Sequence, residues 1–361
     1  YQDPKLQSAD LTNFDFSNVE KFGSVFAEDS ALTKVVFPKT ADWSKIEDLS
    51  YLFYQCGNLT SVIMPNACKT ENLTNTHAMF YGCGKLSNIS TFDCLKTNKV
   101  TDMSFMFANC NSLSELNVSG FDTSSVKDMQ YMFYGCSKLS TLDVSKWNTA
   151  NVTDMQYMFN ECSILTSLDI TNFEFDQVQN ISSMFANCSK LISMKIDNYG
   201  EGIYAPNLKD ISYIFQNCTN LNTVSIEFDS NIGTPKLESM SNMFSGANSM
   251  KTLTLNGIIS GKLKNFISFQ NELNNLESLS LDNFNVPYIT SMEGMFLGMS
   301  NLKTLSLKNF NTSNVTNMYQ MFDLCDNLKE LDVTSFDTSK VTNMGLMFYR
   351  CDNLGSIDLS N

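Results

Sequence analysis

The sequence predicts an α/β repeat fold: one solenoid of about thirteen coils, with a parallel β-sheet on one wall and short helices on the other. The first observation is recurrence. "VKDMQYMFYGCSKLSTLDV", Val126 to Val144, returns twenty-six residues later as "VTDMQYMFNECSILTSLDI", Val152 to Ile170. The second is reach. Anchored on the Phe ahead of each Cys or its stand-in, the pattern falls at Phe26, Phe53, Phe80, Phe107, Phe133, Phe159, Phe185, Phe215, Phe244, Gln270, Phe296, Phe322 and Phe348. Its spacings, roughly 26 to 30 residues, lie in the window that marks stacked repeats. The third is a change of period inside each unit: Val126, Met129, Met132, Phe133 and Cys136 step by three and four, whereas Leu142 and Val144 flank Asp143 at a step of two.

Each unit opens on a turn phrase such as "FDTSS" or "WNTAN". Ser125 three residues ahead of Asp128, or Asn151 ahead of Asp154, fits a capping box that would start a helix. The three-and-four steps then place Val126 to Cys136 on one face of that short helix, and the step of two reads as a strand with Asp143 pointing out. One unit is too small to bury its own apolar face, so the units stack. The ladder Phe121, Trp147, Phe173, Phe284, Phe310 and Phe336 is expected in the corner between each strand and the next helix. Residues 1–361 read as a single repeat domain, its first recognisable coil starting at about residue 14.

The chain of 361 residues is 43% hydrophobic and carries a net charge of −14. That balance gives ample core and disfavours nucleic acid, whose phosphates the acidic surface would repel. No run of eighteen apolar residues and no basic-then-apolar leader occurs, so direct membrane insertion is not expected of this stretch. The start at Tyr1 and the end at "LGSIDLSN" suggest truncated or processed termini.

Nine of the eleven cysteines share one repeat position: Cys56, Cys83, Cys110, Cys136, Cys162, Cys188, Cys218, Cys325 and Cys351. Asp29, Ala247, Leu273 and Met299 take that slot elsewhere, which suits a small buried thiol and not a metal ligand. Cys68 and Cys94 lie outside the ladder, just past the strands of adjacent coils. Twenty-six residues apart, they either stack within bonding distance or remain two unpaired thiols.

The phrases "FDTSSVKDMQYMFYGCSKLSTLDV" and "FDTSKVTNMGLMFYRCDNLGSIDL" resemble the BspA-like leucine-rich repeat, in particular the lipoprotein-associated subtype of bacterial surface proteins. The resemblance covers essentially the whole chain through its Val, Met, Met-Phe, Cys and paired Leu positions. It implies a right-handed leucine-rich-repeat solenoid on a secreted or cell-surface protein, linked with adhesion or host contact and without enzyme activity of its own. The longer middle coils and Gln270 depart from the pattern. No ligand residue carries over, because the shared positions are scaffold.

Chemistry is sparse. His77 is the sole histidine, so a Ser-His-Asp or Cys-His arrangement has only one place to form and a multi-histidine metal site has none. Asp143 and Asp169 are expected as neighbours on the sheet face, yet a glycosidase needs two carboxyls of unequal pKa, and a bare Asp ladder is the plainer reading. No cofactor motif is present. Three surfaces compete for a partner, and the loops of the stretched coils are expected to carry most of the contact. One is the polar strand face with Asp143 and Asp169. The second is a row of aromatics beside the core, among them Tyr131 and Tyr157. The third is the pair of stretched coils, "IDNYGEGIYAPNL" from Ile196 and "IEFDSNIGTPKL" from Ile226, whose extra residues are expected to project Tyr199, Tyr204 and Phe228 on loops. The expectation is a non-catalytic extracellular or cell-surface scaffold recognising a protein or glycan on another surface. A structural component that self-associates through its repeat faces is the alternative.

Overall fold

The computed structural model describes residues 3, 5–89, 92, 94–197, 202–264 and 273–359. Tyr199, Glu201 and Gln270 lie outside them. The chain falls into two units, residues 1–173 with 183–190, and residues 174–182 with 191–361. In the first unit β1 (Ser8–Asp10), β2 (Lys34–Val36), β4 (Ser61–Ile63) and β6 (Asn88–Ile89) form a parallel sheet in the order β1-β2-β4-β6. There, β3 (Thr40–Asp42) and β5 (Ala67–Lys69) pair separately. In the second unit β7 (Ser193–Ile196), β8 (Thr223–Glu227), β9 (Thr252–Asn256), β10 (Ser278–Ser280) and β11 (Thr304–Ser306) form one parallel sheet in sequential order.

No helix occurs among the described residues, which corrects the expected helical wall. The three-and-four spacing is met instead by serial tight turns. The amide of Met132 donates to the Met129 carbonyl (3.3 Å), that of Tyr134 to Tyr131 (3.0 Å) and that of Cys136 to Phe133 (3.1 Å). The alternate amides leave the coil: Tyr131 N donates to Gln156 O, Phe133 N to Met158 O and Gly135 N to Asn160 O, at 2.8 to 2.9 Å. This alternation needs a left-handed residue every fourth position. Tyr131 (φ 56°) and Gly135 (φ 71°) supply it here, as Phe105 and Asn109 or Tyr157 and Glu161 do in neighbouring coils. A helix tolerates no such residue, and each non-glycine one costs about 1–2 kcal/mol. Satisfying the buried amides through the neighbouring coil offsets that cost. The expected capping acids serve the turns: Asp128 Oδ1 accepts from the Gln130 amide and Asp154 Oδ1 from the Gln156 amide, both at 2.9 Å.

Inside, the ladder is buried as the repeat demands. Phe80, Phe107, Phe133, Phe159 and Phe185 stack with centroids 5.6 to 5.7 Å apart and planes within 6°. Phe121, Trp147 and Phe173 fill the corner in the first unit, and Phe284, Phe310 and Phe336 in the second. The ladder thiols donate one coil back, Cys136 Sγ to Phe107 O at 3.2 Å and Cys325 Sγ to Phe296 O at 3.3 Å. Burial pushes the thiols of Cys56, Cys136 and Cys325 up to about 12. Eight of the nine are buried and Cys351 is half-buried.

The strand wall is less regular than expected. Among the described residues a hydrogen-bonded strand forms in eight of the thirteen expected coils, and β1 adds a ninth ahead of residue 14, the expected start. The expected thirteen strand-and-helix coils are thereby corrected to about ten turns without helices. One side chain decides the difference. Where the outward residue is Val36, Ile63, Lys195, Ser225, Thr254, Ser280 or Ser306, the strand pairs; where it is Asn117, Asp143, Asp169, Asp332 or Asp358, it does not. Asp10 in the edge strand β1 is the exception, pairing in register with Val36. Asp143 Oδ1 accepts from the amide (3.0 Å) and hydroxyl (2.6 Å) of Ser145, and Asp169 does the same with Thr171. Such local bonds compete with the ladder, and Asp and Asn fit the pleat poorly.

The stretched coils also differ from expectation. Part of their extra length goes into the sheet, where β8 and β9 reach five residues each, and Phe228 is carried into the core at 5% exposure, bridging to Ile203. Replacing both Asp143 and Asp169 by Thr is expected to let the ladder form. Hydrogen exchange at residues 141–144 and 167–170 should then slow about fivefold, the factor that a ~1 kcal/mol β-propensity gain gives local opening. Unchanged exchange would show that these side chains do not hold the strands apart.

Candidate interaction surface

On the strand wall of the first unit the coils without ladder bonds border a groove of about 810 Å³. Asp143 and Asp169 both line it, together with Glu115, Asn117 and the hydroxyls of Ser114, Thr141 and Ser167. Its floor holds residues that face the core: Leu142 is 8% exposed, and Leu116 and Leu168 are half-buried. At the matching slot of the paired strands Val35, Val62, Met194, Val224, Leu253 and Leu279 are no more than 3% exposed, whereas Ile89 in β6 and Leu305 in β11, at the ends of their sheets, are half-buried as well. The Asx turns hold Asp143 below the usual carboxylate range, chiefly through the Ser145 hydroxyl and then its amide, and they accompany the half-burial of Leu116 and Leu168.

The aromatic row occupies the turn wall of the same unit. Phe105, Tyr131 and Tyr157 stack at 4.6 Å with planes within 8°. Ala78 takes the next position, and the ring of the preceding residue, His77, fills the gap edge-on between Tyr51 (4.9 Å) and Phe105 (5.7 Å). Tyr131 spends both ring faces on its neighbours and offers a partner its edge and hydroxyl, whereas Tyr157 spends one face, the next coil carrying Ser183 at this slot. His77 Nδ1 lies 2.6 Å from Ser104 Oγ and 3.6 Å from Asp102 Oδ2. A relay needs the two imidazole nitrogens to face different partners; here one nitrogen faces both, and Ser104 Oγ itself donates to Asp102 Oδ1 at 2.5 Å.

Beside this row runs a column of turn-opening residues, Asp48, Asn75, Asp102, Asp128 and Asp154, bridged coil to coil. Burial first, and the neighbouring Asp128 charge after it, pushes the Asp154 carboxyl up to about 6.

The remaining expected contacts disperse. Tyr204 is 45% exposed in the second unit, Phe228 is core, and Tyr199 lies outside the described residues. Cys68, in β5, and Cys94 are joined as a disulfide, with Cα atoms 5.1 Å apart. No group of three or more metal-ligating side chains occurs among the described residues, nor any helix long and apolar enough to cross a membrane. Sequence reasoning missed the half-buried leucines of the groove and the insertion of His77. The signals were present in the Asn or Asp at the outward strand position, and in the Ala at the aromatic slot.

The family profile described as "Mycoplasma protein of unknown function, DUF285" matches residues 1–114, 84–199, 201–257 and 262–361. The chain belongs to this family. No curated protein matches it. Among solved structures this DUF285 chain is similar to a leucine-rich repeat protein from Bacteroides ovatus, at 17% identity over 93% of this chain and 80% of that one, TM-score 0.45. A leucine rich cell surface protein from Faecalibacterium prausnitzii follows at 16% identity over 98% and 83%, TM-score 0.34. An internalin from Listeria monocytogenes follows at 19% over 88% and 88%, TM-score 0.31.

The Asp154 column gives a signed pH effect. A carboxyl whose folded pKa stands above its unfolded value near 3.8 favours folding only while protonated, so its contribution is full below pH 3.8 and is lost as pH rises through about 6. Asp154→Asn keeps the acceptor for the Gln156 amide and cannot ionise. It is expected to stabilise the protein by about 1 kcal/mol at pH 7.5, a value discounted for partial exposure, and by almost nothing at pH 3.5. Denaturant titrations at the two pH values check this; an equal effect at both would remove ionisation as the cause.

Proposed function

We propose that this chain is a non-catalytic interaction scaffold of the extracellular space or cell surface, serving adhesion or ligand recognition toward a protein or glycan on another surface. The observation that carries the reading is the division of labour between two walls. One wall is committed to holding coils together, and the other displays side chains that the fold does not consume. The strand-wall groove with Asp143 and Asp169 is the first candidate contact, ahead of the aromatic edges at Tyr131 and Tyr157. Solenoids bind through such broad preformed faces with little ordering cost. The Cys68–Cys94 bond supports an oxidising compartment, where disulfides persist.

The test is binding of the fluorescently labelled chain to intact cells, compared with a variant in which Asn117, Asp143 and Asp169 are all replaced by Lys. Saturable binding that falls at least about tenfold in the variant, with unchanged melting temperature, supports the reading; absence of saturable binding to any cell or matrix surface would sink it. The compartment has its own check. Alkylation without reductant in denaturant should add nine labels to the natively produced chain, one for each free ladder thiol, with Cys68 and Cys94 protected. Eleven labels would remove the support for an oxidising environment.

A further inference from the structure

Between β6 and the end of the first unit the strand wall is open: no backbone hydrogen bond joins residues 115–118, 141–144 and 167–170 to one another. The coils stay together there because the turn wall holds them, with Tyr131, Phe133 and Gly135 each donating to the next coil. Leu116 and Leu168 are half-buried here, like Ile89 and Leu305 at sheet ends, where the strands inside the sheets bury their equivalents. A covering partner would recover that apolar area at about 25 cal/mol per Å². The rim is acidic. Asp143 and Asp169 sit on successive coils, Glu115 lies one coil earlier, and no Lys or Arg lines the groove, Lys146 acting on Asp143 from outside it. Both Asp side chains commit Oδ1 to their Asx turns, and the hydrogen bonds described leave Oδ2 to solvent. Apolar floor and anionic rim thus alternate across the groove at side-chain spacing.

We propose that this seam is a peptide-binding groove whose occupant is an extended segment of another protein with alternating apolar and cationic side chains. The apolar side chains cover Leu116, Leu142 and Leu168 in the seam, and Lys or Arg residues meet Asp143 and Asp169 at the rim. In an extended segment alternate side chains point to opposite faces, so one apolar set meets the floor while the long, flexible Lys or Arg side chains of the other set bend back to the rim carboxylates. A neutral glycan would meet the hydroxyls but gain nothing from the missing cations, which is why charge complementarity selects a basic peptide. The proposal rests on the scaffold reading and narrows it to one site and one partner chemistry.

The experiment titrates three probes into the full chain by calorimetry: a peptide alternating Lys with Val, one alternating Gln with Val, and a neutral oligosaccharide. The lysine peptide is expected to bind at least about tenfold tighter than the glutamine peptide. Asp143→Asn with Asp169→Asn should erase that preference, because Asn keeps the Asx acceptor and removes the charge. Asp10→Asn with Asp15→Asn removes the same charge from two other exposed Asx turns and should leave the preference intact. Equal loss in both double variants would mark unspecific attraction to an acidic protein and overturn the proposal, as would equal binding of the two peptides. Oligosaccharide binding that depends on Asp143 and Asp169, with neither peptide bound, would also overturn it and hand the groove to a glycan. In that case the cell-binding test still decides the scaffold reading, so the two failures are distinguishable.

Discussion

Everything in this molecule is arranged around one kind of bond, the amide of a turn residue reaching the carbonyl of the next coil. Phe105 N meets Gln130 O, and Tyr131 N, one residue on, meets Gln156 O, both at 2.9 Å. The same peptide group therefore accepts from the coil before and donates to the coil after. Once that is imposed, the rest follows by exclusion. Alternate amides must close turns within the coil, every fourth residue must go left-handed, and identical side chains must superpose. Phe stacks on Phe, and each thiol reaches the previous Phe carbonyl. Surface side chains join in, with Thr153 Oγ1 bonded to Lys127 O and Asn151 Nδ2 to Ser124 O, each across one coil. Stability is then a sum over neighbours, as in other quasi-one-dimensional proteins.

Much of this was legible in the sequence, because period and burial leave the same mark whatever the backbone does between them. The buried ladder of Phe133 and Cys136, the corner at Trp147 and the proximity of Cys68 to Cys94 all follow from superposing one unit on the next. The helix did not survive, for a definite reason. Steps of three and four describe an amphipathic helix and a chain of stacked turns equally well. What separates them is the left-handed residue, and Tyr131 or Phe105 gives no hint of it. The Gly at positions 82, 135, 246 and 298, all at one slot with φ between 71° and 78°, and Gly294 at the Tyr131 slot with φ 58°, carry that information. Strand loss was likewise written in the chain, at Asn117, Asp143 and Asp169, but as a competition between side chain and ladder that a period of two does not display. Phe228 was misplaced because added length was assumed to leave the solenoid, when a sheet can absorb it as longer strands.

The two walls of the first unit consequently answer to different rules. The turn wall spends its aromatic faces, amides and polar side chains on cohesion, and even the lone histidine is used as packing between Tyr51 and Phe105. The strand wall can relax because cohesion is secured elsewhere. An open seam of this sort in an ordinary sheet would unravel it; here it costs some exposed leucine surface and leaves side chains uncommitted. Binding capacity in such a fold comes from places where the repeat is allowed to be imperfect, and those places are set by single outward residues.

The columns of peptide groups have an electrical consequence. Within the first unit the groups at Ala78, Phe105 and Tyr131 all point their N–H toward the later coil and their C=O toward the earlier one, so their dipoles, about 3.5 D each, add along the stack. An α-helix ends with its amides bare at the N-terminal end and is positive there; this wall has the opposite sense, with carbonyls facing the beginning of the chain. The column through Lys127, whose amide donates back to Thr101, opposes these dipoles, but the amides of Met129, Tyr131, Phe133 and Gly135 outnumber it. The first unit's turn wall is therefore in effect an electret with its negative pole toward the N-terminal coil, and a charge placed along it would feel which way the chain runs.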